Sequence, residues 1–152
     1  MEPRLDVKKV SPAAFAPMAA FGKYLRECGL DERLQELVKI RASQINGCAF
    51  CLAMHVRDAK KLGESDDRLH LLSVWPEAPI YSERERAALA WTEAVTLVAD
   101  GNVPDEVYDE TRRHFSEKEL VDLTFAIVAI NAWNRINVAF RTPPQLSAAK
   151  AA

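Results

Sequence analysis

A chain of 152 residues in which 49% of the side chains are apolar and 28% are charged is long enough to fold as one globular domain without covalent staples. Its formal net charge of -2, with cationic residues interleaved among acids, gives no electrostatic footprint for nucleic acid. The most apolar stretch, VDLTFAIVAINAWNRINVAF, carries Asp122, Asn131, Asn134 and Arg135, and reads as a core helix rather than a membrane span.

The opening segment, MEPRLDVKKV, lacks the apolar centre of a signal peptide, so the expected compartment is a reducing cytoplasm. There a cysteine pair is more often catalytic or metal-bound than structural. Ser11-Pro12 opens a helix over 12–28, in which Pro17 removes a backbone hydrogen bond and should kink or split the segment. Gly29 stops it, and Asp31 caps a second helix over 32–45 that ends at Asn46-Gly47. Helices over 48–62 and 66–75 follow, bounded by Gly63, Ser65 and Pro76. Ser82 with Glu85, and Ser116 with Glu119, have capping-box spacing and open helices over 83–99 and 117–140, with another over 104–114 after Gly101. No convincing strand is left. The expected fold class is all-α, a multihelical single domain over 1–152 whose Ala-rich tail frays from about 143 to 152, beyond Pro143-Pro144.

The chain also resembles itself. ELVKIRASQINGCAFC from Glu36 lies over ELVDLTFAIVAINAWN from Glu119 at a constant offset of 83 residues, which indicates an internal duplication of a helical unit. Ala49 falls on Ala132, Phe50 on Trp133, and Cys48 and Cys51 on Asn131 and Asn134. One copy would keep the chemistry and the other the packing, with the two asparagines as polar relics or supports.

In the segment NGCAFCLAMH, about 100° per residue places Cys48, Cys51 and His55 within roughly 60° of one another on one helical stripe. Cys48 falls in the first turn, where free backbone N–H groups and the helix dipole favour a thiolate. The two sulfurs lie about a turn apart, a spacing that allows a disulfide with little backbone movement. Structural zinc would need a fourth ligand from Cys28 or Glu36 and has no second cysteine or histidine pair to draw on. Glu36 lies at the edge of the buried stripe Leu34, Leu37, Val38 and Ile40, and reads either as a solvated acid or as an inward-facing carboxylate. Cys28, His70 and His114 have no such company and read as ordinary packing or surface residues.

The pattern Glu36, eleven residues, Cys48-x-x-Cys51, three residues, His55 resembles the core of the carboxymuconolactone decarboxylase-like superfamily, and within it the alkylhydroperoxidase D branch. The phrase KIRASQINGCAFCLAMH resembles that core throughout, and LAWTEAVT and INAWNRINVAF resemble its downstream helices. The resemblance implies a duplicated all-helical fold, assembly as a homotrimer or homohexamer, and a dithiol that reduces hydroperoxides in antioxidant defence without metal or flavin. By resemblance Cys51 attacks the peroxide, Cys48 completes the disulfide, and Glu36 and His55 form a proton relay through a water. The helix-dipole argument conflicts with this, because it makes Cys48 the more acidic thiol. Phe50 also departs from the type that has histidine between the cysteines.

The partners implied are a hydroperoxide substrate, a dithiol reductant such as a lipoyl-bearing protein, and a peroxiredoxin. Trp75, Trp91 and Trp133, with the apolar helix 120–140, are expected to supply surface for assembly. Two rival functions are the lactone decarboxylation that names the superfamily, which has no use for a dithiol, and a non-enzymatic redox-sensing helical oligomer.

Overall fold

The computed structural model describes residues 2–146, and among these there is no strand. Nine α-helices follow in order: α1 Val7–Val10, α2 Pro12–Glu27, α3 Glu32–Ile45, α4 Ala49–Lys61, α5 Asp66–Leu71, α6 Glu83–Thr96, α7 Val98–Gly101, α8 Asp105–His114 and α9 Glu117–Phe140. A 3₁₀ segment, Leu72–Glu77, continues α5.

Local chemistry sets most of the starts. Asp31 accepts from Leu34 N at 2.8 Å, and Ser82 and Ser116 form reciprocal capping boxes with Glu85 and Glu119. α3 lies at the centre, packed against α4, α6 and α9. Leu37 and Ile40 pack toward the 3₁₀ segment and α6, while Leu34 and Val38 pack toward α6 and α9. Full burial of each such aliphatic side chain contributes roughly 1.5–3 kcal/mol.

Several boundaries differ from the sequence expectation. Pro17 does not split α2, which runs unbroken for 16 residues. Ala13 and Pro17 are both exposed, so the carbonyl deprived of its donor can meet water. The short α1 had no periodicity to announce it and is opened by Asp6, which accepts from Lys9 N at 3.1 Å. Residues 72–75 tighten into 3₁₀ geometry with Pro76 inside the turn, and the helix expected over 83–99 stops at Thr96. Of the tail expected to fray, residues 147–152 lie outside the described residues.

Trp75 and Trp91 are 9% and 7% exposed, so they belong to the core and do not supply assembly surface. Their indole N–H groups donate to Glu93 Oε1 at 2.7 Å and to Thr124 Oγ1 at 2.9 Å, which makes burial affordable for a polar ring edge. α9 has the length and apolarity to cross a bilayer, yet it packs against α2, α3, α6 and α8 and buries Asp122 and Asn134 among its apolar residues.

Candidate active site

The dithiol is placed by a chain reversal. Asn46 ends α3 and Gly47 takes φ +65°, a left-handed conformation that costs a residue with a Cβ roughly 1 kcal/mol. Cys48 N then donates to Ser43 O at 3.0 Å, and Cys48 adopts an extended conformation as the N-cap of α4. Its Sγ accepts from Cys51 N at 3.4 Å. Cys48 is therefore the cap rather than a residue of the first helical turn, and α4 begins one residue later than expected. The sulfur still takes one of the free N–H groups at the helix start. Both cysteines are free thiols, 2% and 1% exposed, packed with Ala42 and Ile130 against Phe50 and Trp133.

Glu36 is 8% exposed and is the inward-facing carboxylate of the two sequence readings. Its Oε2 lies 2.7 Å from His55 Nδ1 and its Oε1 accepts from Lys39 Nζ at 2.7 Å. Burial raises the carboxyl's pKa, but the hydrogen bond from His55, the charge of Lys39 and the charge of His55 outweigh it and hold Glu36 below the ordinary carboxylate value. The expected water between Glu36 and His55 is replaced by this direct bond. With Glu36 ionised, His55 Nδ1 carries the hydrogen, leaving Nε2 to accept or return a proton.

The two thiols differ in acidity. A hydrogen bond from Cys51 lowers the Cys48 pKa against the opposing effect of burial, and the backbone N–H groups of Cys51 and Phe50 and the Asn134 amide assist, bringing it to about 6. Cys51 is pushed up, because it would ionise beside the Cys48 sulfur and in a buried place. Within the pair, negative charge is therefore favoured on Cys48 over Cys51.

The duplicated copy supports the dithiol through polar side chains. Asn46 Nδ2 donates to Asn131 Oδ1 at 3.0 Å and to Asn134 Oδ1 at 2.9 Å, and fully buried Asn134 donates to Ser43 Oγ at 3.0 Å. Thus the residues that correspond to the cysteines in the second copy fasten α9 to the turn that carries the cysteines in the first. Asn137 Nδ2 donates to Cys51 Sγ at 3.4 Å. Lys39, Ser43, Asn46 and Asn137 were not singled out from the sequence. Lys39 stands three residues from Glu36, and Asn131, Asn134 and Asn137 recur every three residues along an apolar helix, a polar stripe that could have marked them.

A cavity of about 1050 Å³ has Cys51, His55 and Glu36 in its lining, but not Cys48. Phe50, Met54, Trp133 and Ile136 give it apolar walls, and residues 3–8 cross one side. Of the two fourth ligands considered for zinc, Cys28 packs in a separate cluster and its Sγ donates to Leu25 O at 3.2 Å, whereas Glu36 lies against His55. Glu36, His55 and Asp58 have possible donor atoms within 4.8 Å of one another, but Lys39 and Lys61 already hold the two carboxylates. His70 is exposed and His114 bonds to Glu110 Oε1 at 3.1 Å, both away from the dithiol.

Comparison with known proteins gives the family and the fold. Residues 12–94 match the sequence profile of the carboxymuconolactone decarboxylase family. The chain is 42% identical over 139 residues to YdfG, an uncharacterized protein of Bacillus subtilis, covering 91% of this chain and 95% of that one. A crystal structure of a protein of unknown function from Agrobacterium tumefaciens, named with AhpD antioxidant defence, is 45% identical with a TM-score of 0.94 and covers 96% of this chain and all of the other. The debrominase Bmp8 is 20% identical with a TM-score of 0.81, covering 90% of this chain and 74% of its own, and shares the fold.

Proposed function

Because the chain belongs to the carboxymuconolactone decarboxylase family, and because its paired thiols lie beside a Glu36–His55 dyad, we propose that it is a thiol-dependent hydroperoxide reductase of antioxidant defence. The observation that carries this reading is a pair of free thiols at the start of α4, one of which borders the cavity that His55 and Glu36 also line. A fold of this kind hosts more than one reaction, so the argument rests on the site.

The chemistry balances as follows. The proton on Cys51 moves to Cys48, leaving a Cys51 thiolate on the cavity wall. That thiolate attacks the terminal oxygen of the hydroperoxide, the O–O bond breaks, and Cys51 becomes a sulfenic acid. The departing alkoxide takes from His55 Nε2 a proton that His55 has taken up from solvent and Glu36 stabilises, and leaves as the alcohol. Cys48 passes the proton it took from Cys51 to His55, which lost one to the alkoxide, and attacks the Cys51 sulfur. The S–S bond forms and hydroxide departs, to be protonated to water. An external dithiol then resets the pair by exchange, itself becoming a disulfide.

Cys51 is assigned the attack because it borders the cavity, and Cys48 the resting charge because of its donors. The helix-start argument and the family resemblance therefore describe different moments of one cycle. With Phe50 between the cysteines, His55 and Glu36 handle the protons alone. A lipoyl-bearing protein suits the reductant and a peroxiredoxin a further electron acceptor, in a homotrimeric or homohexameric cytoplasmic enzyme. Steady consumption of an organic hydroperoxide with dihydrolipoamide as reductant, abolished by Cys51→Ser, tests the reading. A redox sensor would give one turnover and stop, and a decarboxylase would be indifferent to the substitution.

A further inference from the structure

Resting on that reading, we propose that Asn137 is a catalytic residue whose side-chain amide draws the negative charge from Cys48 to Cys51 for the attack. Asn137 lies near the C-terminal end of α9 and lines the cavity that Cys51 and His55 border. One NH₂ group makes two bonds: Nδ2 donates to Trp133 O at 2.9 Å and to Cys51 Sγ at 3.4 Å. The Trp133 bond fixes the orientation, because turning the amide over would set its oxygen against a carbonyl oxygen.

The backbone is fixed as well. Thr142 N returns to Asn137 O at 2.9 Å while Arg141 takes the left-handed conformation with φ +55°, a closure that ties off α9 at this residue. The donor is thus held in place before any charge arrives.

Two sets of donors compete for one negative charge. Cys48 is served from its own helix start, by the N–H groups of Cys51 and Phe50. Cys51 is served from α9 by Asn137. An N–H donated to a thiolate is stronger than one donated to a thiol, so the Asn137 bond tightens as the Cys51 proton passes to Cys48. No further reactant is needed for this step, since the proton only moves from one sulfur to the other. The Asn134 amide donates to Ser43 Oγ instead.

The test first isolates one sulfur. In a Cys48→Ser background, Cys51 titrates without its coupled neighbour, and its iodoacetamide alkylation rate is followed against pH by site-resolved mass spectrometry. Adding Asn137→Ala should move the midpoint for Cys51 up by about one to two pH units, the size of a lost hydrogen bond to a charged group. Asn137→Asp keeps the shape, removes the donor and adds a like charge, so it should move the midpoint further and serves if the alanine variant folds poorly. In the two-cysteine protein, Asn137→Ala should lower kcat/KM for a hydroperoxide by roughly 10- to 100-fold. An unchanged Cys51 midpoint in both variants would overturn the assignment. The titration uses no peroxide, so a shifted midpoint in a protein without turnover would keep Asn137 and remove the peroxidase reading. Normal turnover with an unshifted midpoint would do the reverse.

Discussion

His55 Nδ1 stands 2.7 Å from Glu36 Oε2, a bond between α4 and α3 that fixes the imidazole edge-on to a buried carboxylate. Lys39 Nζ, 2.7 Å from Oε1, completes the clamp, so Glu36 is ionised and His55 has one nitrogen left for proton transfer.

Glu36→Gln keeps the shape and removes the charge that stabilises protonated His55. The variant should fold and assemble as the parent does, and lose about 10²-fold or more in peroxide turnover, the usual size of an acid–base contribution. Turnover equal to the parent's would remove Glu36 from the chemistry.

The thiols set the pH response. Cys48 falls from the ordinary 9.0 to about 6, so its alkylation in the reduced protein should have a midpoint near pH 6 while Cys51 stays protonated. A depressed value in the folded state means that the unfolded chain binds the extra proton between pH 6 and pH 9. Stability of the reduced protein should therefore rise across that window and be lost as pH falls through 6. Above pH 9 the raised Cys51 acts in the opposite sense, because the unfolded chain ionises there and the folded protein does not. The disulfide form has neither contribution. Thermal melts of the two forms should diverge upward from pH 6 to pH 9, and parallel curves would contradict the thiol assignment.

Much of this was legible in the sequence, and the failures have physical causes. The start of α9 and both bounds of α3 followed from Ser116, Asp31 and Asn46-Gly47, whose caps act within a few residues. Cys48, Cys51 and His55 shared a stripe by spacing alone. Glu36 was ambiguous because periodicity put it at the edge of the buried face, and what buries it is His55 on another helix. Asn137 shares a polar stripe with Asn131 and Asn134, but its partner sulfur is 86 residues away, so spacing alone did not tie it to the dithiol. Trp75 and Trp91 were misjudged as surface because the acceptors that let them be buried, Glu93 and Thr124, are also distant in sequence.

For the proposed assembly the exposed apolar surface is on the helix expected over 120–140, not on Trp75 or Trp91. Val121, Phe125 and Val128 form an exposed apolar stripe on α9, 51%, 46% and 46% exposed, beside Tyr108. Light scattering should give three or six times the 17.0 kDa chain mass, and Val121→Asp combined with Phe125→Asp should reduce it. A mass of 17.0 kDa for the unaltered protein at micromolar concentration would refute the assembly.

The most direct test of the central claim is a titration of the fully reduced protein with tert-butyl hydroperoxide, counting peroxide consumed, thiols lost and disulfide formed. One equivalent of peroxide should disappear with two thiols, a peptide map should show Cys48 joined to Cys51, and Cys28 should remain a free thiol. Peroxide left unconsumed, or thiols lost without a Cys48–Cys51 link, would contradict the account.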